Sequence, residues 1–301
     1  KKPNVKIGFF LHIPFPSYEV FRNLPWRDEI LKGMMGSDLI GFHTYEYERH
    51  FLSSVQRILM CELNFNSILY DARKVKVDSF PMGIDFNKFH GAAIAHQKSD
   101  KKSEFQESLD MHKAIKGETQ FILSIDRLDY TKGIAQRILA FEVFLEKYPE
   151  YLGKVRLVML AVPSRSNVPQ YQDLKNEIDQ LVGRINGKFS EVNWTPIWYF
   201  YRSMPFENLI DLYCSCDIAL LTPVRDGMNL VAKEYIASRV DNTGVLILSE
   251  MAGAAQELNE ALIINPNNAD QIADTIKEAL EMPVARQKKG NAIMKDRVKR
   301  Y

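Results

Sequence analysis

Short apolar runs recur along this chain, and amphipathic helical stretches fill the intervals between them. That alternation narrows its fold more than any other feature. The runs are Val5–Leu11, Asp38–Phe42, Val75–Phe80, Gln120–Ile125, Val155–Ala161, Pro196–Phe200, Ile218–Leu221, Val245–Leu248 and Leu262–Ile264. Each is a few residues long and rich in Ile, Val, Leu and Phe, as parallel strands buried on both faces should be. Between them, Thr44–Met60 carries Tyr47, Phe51, Val55, Ile58 and Leu59 close to the 3.6-residue period, and Ile134–Tyr148 repeats Ile138, Phe141, Val143, Phe144 and Leu145. Tyr171–Ile185, Phe206–Ser215 and Asp270–Glu281 read the same way. Strand alternating with helix means an α/β fold with a mostly parallel sheet.

The polar stretch His96–Ser103 marks a boundary, and after one more helix Lys116-Gly117-Glu118 opens a fresh set of alternations. From there to about Pro283 the pattern counts out a full Rossmann-like unit of six strands with their helices. Before the boundary only three or four strands are expected, too few for such a unit. The expected organisation is residues 1–115 as an incomplete first domain with linker, 116–283 as a complete second domain, and 284–301 as a basic helical stretch. The chain opens on Lys1 without a signal-peptide pattern, and the expectation is that it is cut from something longer.

Charge excludes some partners. Lys and Arg number 39 against 38 for Asp and Glu, a net charge of +1, which gives no reason to expect nucleic acid or a membrane surface. No apolar run approaches the ~20 residues of a membrane helix. Cys61, Cys214 and Cys216 read as small core residues rather than disulfides or metal ligands, which fits a reducing cytoplasmic compartment.

Three strand-end motifs carry chemistry. Arg225-Asp226-Gly227-Met228-Asn229-Leu230-Val231-Ala232-Lys233-Glu234 follows the strand Ile218–Leu221 and opens a helix. Gly227 allows close backbone approach, the helix N-terminus favours a diphosphate, and Glu234 lies about one turn further in, within reach of a ribose. The residues alone equally accommodate a capped loop with a solvated carboxylate. Asp126-Arg127-Leu128-Asp129-Tyr130-Thr131-Lys132-Gly133 follows another strand. Arg127 and Lys132 flank a turn, suited to two cations on one diphosphate; a surface ion pair of Arg127 with Asp126 or Asp129 is the alternative. Phe9-Phe10-Leu11-His12-Ile13-Pro14-Phe15-Pro16 sends His12 into a loop stiffened by prolines, and a structural histidine is the alternative there.

These motifs, in order with Gly41-Phe42-His43-Thr44, Phe80-Pro81-Met82-Gly83-Ile84-Asp85, Gly183-Arg184-Ile185-Asn186-Gly187-Lys188 and Leu246-Ile247-Leu248-Ser249-Glu250-Met251-Ala252-Gly253-Ala254-Ala255, resemble the trehalose-6-phosphate synthase family over nearly the whole chain. The resemblance implies a GT-B glycosyltransferase fold, two Rossmann-like domains with the first incomplete here. It implies retaining glucosyl transfer from UDP-glucose to glucose 6-phosphate. It assigns Arg127 and Lys132 to the donor diphosphate, the backbone around Met204 to the uracil, and Leu230, Val231, Ala232, Lys233 and Glu234 to the nucleotide, with Glu234 on the ribose. Asp226 and His12 are assigned to the transferred glucose and Arg165 to the acceptor phosphate; without the family, Arg165 reads as a solvated loop cation.

Neither a DxD-type metal site nor a pair of glycosidase-like carboxylates stands out, so the implied chemistry needs no metal or cofactor. A sister transferase acting on glycerol 3-phosphate and a catalytically silent sugar-nucleotide sensor stay open as alternatives. The intact set Arg127, Lys132, Asp226 and Glu234 favours an enzyme parent. The chain by itself is expected to bind nucleotide without turnover and to self-associate through its incomplete domain. Many family members continue into a trehalose-phosphate phosphatase domain.

Overall fold

The structure is a computed structural model that describes residues 5–99, 102–114, 119–165 and 167–300. The tripeptide Lys116-Gly117-Glu118 and the expected domain boundary at 115/116 lie outside those residues. The chain divides into two compact units, Met82 ending the first and Gly83 beginning the second. The helices on either side of the polar stretch His96–Ser103 therefore belong with the second unit.

In the first unit the strands are β1 (Gly8–Phe10), β2 (Leu39–Phe42), β3 (Glu62–Asn64), β4 (Ser67–Tyr70) and β5 (Arg73–Ser79), in the sheet order β1-β2-β5-β4-β3. The expectation of three or four strands is corrected to five. β1, β2 and β5 run parallel, as read from their apolar runs, while β3 and β4 form an antiparallel ladder with β5. The helices are α1 (Tyr18–Phe21), α2 (Arg27–Met34) and α3 (Tyr45–Leu59). Thr44 starts α3 by accepting the Tyr47 amide, and Met60, at φ 52°, ends it in the left-handed region. The core is aromatic and aliphatic: Phe15, Phe21, Phe42 and Phe51 pack with Leu31, Ile40, Val55 and Val77.

The second unit opens with α4 (Phe86–Lys98), capped by Asp85, and α5 (Glu104–Ala114). Its strands are β6 (Gln120–Arg127), β7 (Val155–Val162), β8 (Ile197–Tyr201), β9 (Ile218–Leu221), β10 (Val245–Ser249) and β11 (Leu262–Ile264), with helices α6 (Ile134–Lys147), α7 (Pro169–Phe189), α8 (Phe206–Ser215), α9 (Leu230–Ser238), α10 (Ala269–Leu280) and α11 (Val284–Arg300). All six strands are parallel, ordered β11-β10-β9-β6-β7-β8. This is the doubly wound order of a dinucleotide-binding unit, and the chain reverses direction across the sheet between β6 and β9.

The period of two along β6 builds a core on each face. Phe121, Leu123 and Ile125 join the cluster under α4, α8, α9 and α11, while Ile122 joins the one under α6, α7 and α10. Cys216 lies within the first of these cores, and no disulfide forms among the three cysteines. Burial pushes the Cys214 thiol up to about 11, so it stays protonated and inert. Among the described residues no helix is long and apolar enough to cross a membrane.

Candidate active site

In an open parallel sheet, ligands settle at the carboxyl ends of the two strands flanking the reversal. Those ends are Arg127 on β6 and the loop after Leu221 on β9. The β6 loop turns at once into a short 3-10 turn, Tyr130–Lys132. Asp129 caps it by accepting the Thr131 amide at 3.0 Å and the Thr131 hydroxyl at 2.7 Å. Burial pushes the Asp129 carboxyl up, but these bonds and one from Tyr171 outweigh it and hold the group below its ordinary range. Gly133 follows at φ +62°, and a Cβ there would lie 2.4 Å from the Thr222 carbonyl oxygen, so only glycine lets the turn sit on β9.

The loops after β6, β9 and β10 are clasped in a row. The Thr131 carbonyl accepts the amides of Val224, at 2.9 Å, and Arg225, at 3.1 Å. The Asp226 amide reaches the Met251 carbonyl, Gly253 donates to the Asp226 carbonyl, and Ala254 donates to the Met228 carbonyl at 2.8 Å. A Cβ on Gly253 would lie 2.1 Å from the Gly227 oxygen, so only glycine lets the loop after β10 lie this close to the loop after β9.

The clasp brings together residues 94 apart in sequence. Lys132 Nζ donates to Asp226 Oδ2 at 2.6 Å, with the two side chains 14% and 13% exposed. Asn229 Nδ2 donates to the same oxygen at 3.1 Å. Arg127, the last residue of β6, is exposed at the start of the same loop, and among the described residues it pairs with neither Asp126 nor Asp129. Asp126 is instead buried against Arg137, which donates to Asp126 Oδ2 at 2.7 Å. Burial raises the Asp126 carboxyl while the neighbouring guanidinium pulls it down.

Helix α9 begins at Leu230 after Asn229, which holds φ 73° and accepts the Ala232 amide at 3.1 Å. That leaves the amides of Leu230 and Val231 without an intrahelical acceptor at the positive end of the helix, beside Lys132 and Asp226. Met204, Leu230 and Val231 are half-buried against one apolar cluster. Glu234 is half-buried and accepts the Tyr213 hydroxyl at 2.6 Å, so it is not a solvated carboxylate. Burial raises it above its ordinary value, partly opposed by Tyr213 and by Lys88. Lys233 is 1% exposed and pairs with Glu257 at 2.8 Å, which turns its side chain into the core.

Arg165, after β7, adopts φ 48° and donates to the Tyr171 hydroxyl at 2.6 Å; that hydroxyl donates to Asp129 at 3.0 Å. A chain of two bonds thus ties Arg165 to the β6 loop. His12 belongs to the first unit, where its ring lies 4.8 Å from that of Phe10 and 5.5 Å from that of His43.

Three residues escape a reading of the motifs. Arg137 falls on the apolar stripe of α6 between Ile134 and Phe141, and a charge on a core stripe is a signal in itself. Tyr213 is indistinguishable from a core aromatic. Gly253 shows its role only when its neighbours in space are known.

Residues 1–301 match the family model Glycosyltransferase family 20. Alpha,alpha-trehalose-phosphate synthase (UDP-forming) of Candida albicans is 50% identical over 284 residues, 94% of this chain and 58% of that protein. A solved E. coli structure, described as trehalose-6-phosphate bound with UDP-2-fluoro glucose, superposes with a TM-score of 0.92 at 37% identity, covering 99% of this chain and 65% of the other. An alpha,alpha-trehalose-phosphate synthase (UDP-forming) from Burkholderia xenovorans in complex with glucose-6-phosphate gives a TM-score of 0.92 at 34% identity, over 99% of this chain and 66% of that one. The chain thus spans less than two thirds of the length of these three proteins. With residues 1–301 all inside the match, the chain belongs to glycosyltransferase family 20.

Proposed function

We propose that the protein containing this chain transfers glucose from UDP-glucose to glucose 6-phosphate with retention at the anomeric carbon, giving trehalose 6-phosphate and UDP. The observation that carries the reading is the Lys132–Asp226 pair at 2.6 Å, next to exposed Arg127 and the start of α9. A diphosphate entering there meets two cations and two amides, while Asp226 is freed to accept sugar hydroxyls. Arg127 and Lys132 stabilise the charge that grows on the leaving diphosphate, which itself helps deprotonate the acceptor. Catalysis is then positioning plus electrostatics. Met204 receives the uracil through its backbone, Leu230 and Val231 wall the nucleotide, Gly227, Met228 and Asn229 contribute through the backbone, and Ala232 and Lys233 hold the first turn of α9 in place beneath it. Glu234 takes the ribose and Arg165 the acceptor phosphate. Neither a metal nor a cofactor is assigned a part.

The bound UDP-2-fluoro glucose of the E. coli neighbour and the glucose-6-phosphate of the Burkholderia neighbour support the two substrates. The test offers radiolabelled UDP-glucose to the full-length protein, with glucose 6-phosphate and glycerol 3-phosphate in parallel. Label in trehalose 6-phosphate is expected; label only in the glycerol product, or in neither, overturns the reading.

A further inference from the structure

Two charged residues are buried on α6, Glu142 and Arg137, and of the two only Arg137 is wholly out of solvent. Arg137 is fully buried, where Ile134, Ile138, Phe141 and Phe144 otherwise supply the packing. Burying a guanidinium is costly unless each donor finds a partner, and for packing alone a leucine would serve. Arg137 does find partners. Its Nε donates to Thr222 Oγ1 at 3.0 Å, Nη1 to Ser124 Oγ at 2.5 Å, and Nη2 to Asp126 Oδ2 at 2.7 Å and to the Lys132 carbonyl at 3.1 Å. Ser124 and Asp126 sit on β6, Thr222 directly follows β9, and Lys132 lies on the turn above them. One planar group therefore ties both strands of the reversal to the turn that presents Lys132.

We infer that Arg137 is a positioning residue for the donor diphosphate, acting through Lys132. The inference rests on the donor reading given above. The guanidinium fork fixes where the Lys132 backbone sits, so that Nζ reaches either Asp226 or a phosphate at the same place over the strand ends. Its planar geometry is what does this, because four acceptors in different directions cannot be met by a single ammonium. Asp126 balances the buried charge, and the bonds to Ser124, Thr222 and Lys132 do the bracing.

The test uses the full-length protein and UDP as the probe, by calorimetric titration beside steady-state kinetics. Lys132→Ala is the control for the donor reading: UDP affinity equal to the parent's would defeat that reading and this inference together. With Lys132→Ala weakened, the decisive variant is Arg137→Met combined with Asp126→Asn, which removes the charge and its counter-charge at once. Expected are a folded protein, UDP affinity at least tenfold weaker, a lower kcat, and a KM for glucose 6-phosphate unchanged within twofold. Arg137→Lys should recover part of the loss, and Asp126→Asn alone should lose less than either. A folded double variant binding UDP as the parent does would overturn the inference and leave the donor reading standing. Should the double variant fail to fold, Arg137→Lys decides: UDP at least threefold weaker at an unchanged melting temperature supports the inference, and unchanged UDP affinity overturns it.

Discussion

The two loops that meet where the second sheet reverses are held in place by different means. The β6 loop, besides its backbone contacts at Thr131 and Gly133, is braced by side chains: Arg137 grips the Lys132 carbonyl, and Asp129 caps Thr131. The β9 loop is braced from the side by backbone, with Asp226, Gly227 and Met228 laid against Met251, Gly253 and Ala254. Side-chain bracing is graded, because a shorter or less forked group keeps part of the bonding. Backbone bracing is all or none, because it requires that nothing stand between two chains. The two loops should therefore respond differently to substitution.

The steepest response is expected at Gly253. Gly253→Val places carbon where the Gly227 oxygen lies 2.1 Å away, so the β9 loop has to move. A loss of about 1,000-fold or more in kcat/KM is expected, with roughly 3 kcal/mol of stability. A variant melting and turning over like the parent would show that the close approach is not required. Next come Arg127→Ala and Lys132→Ala, each expected to cost at least ~2 kcal/mol of transition-state stabilisation, or about 30-fold in kcat/KM. Activity within twofold of the parent for both would remove them from the diphosphate.

A smaller effect belongs to Tyr213→Phe. Tyr213 donates to Glu234, and that bond lowers a carboxyl which burial has raised above its ordinary value. If the carboxylate form takes the ribose, nucleotide binding is full above the Glu234 pKa and falls as pH drops through it. That acid limb should lie above that of an exposed glutamate, and losing the hydroxyl should raise it further. UDP affinity should weaken about threefold to tenfold at neutral pH, the net size of an ordinary intramolecular hydrogen bond. A UDP-binding profile identical to the parent's across the acid range would separate Glu234 from the ribose. The smallest effect is expected from EDTA, which should change turnover by less than about twofold if Arg127 and Lys132 do the work of a metal; complete loss would expose a missed ion.

Much of the fold was legible, because buried parallel strands advertise themselves. Ile218–Leu221 and Leu262–Ile264 match their apolar runs end to end. The β3–β4 ladder was not. Glu62-Leu63-Asn64 and Ser67-Ile68-Leu69-Tyr70 are short and half polar, and neither length nor period distinguishes them from a loop. In the candidate site, Arg127, Lys132, Asp226 and Glu234 stood out as charged residues at strand ends and helix starts. What pairs with what did not, since Lys132 and Asp226 come together only through strand order. Lys233 shows the cost of reading a motif as a block: it lies between residues facing the site, yet the helix turns its side chain to Glu257.

The Lys132–Asp226 contact bears on how a catalytic cycle would close. Each group has the other as counter-ion, so Lys132 is not a bare lysine open to stray anions. Entry of ligand is then an exchange of partners. UDP-glucose offers something to both groups: phosphate for the lysine, hydroxyls for the aspartate. On the proposed reading UDP alone would take the lysine and leave the aspartate without its counter-ion, though still bonded to Asn229, which would make it the poorer bargain of the two. Once the sugar has gone, re-forming the original pair would help expel the nucleotide, so the contact that neutralises Lys132 would also work against product inhibition.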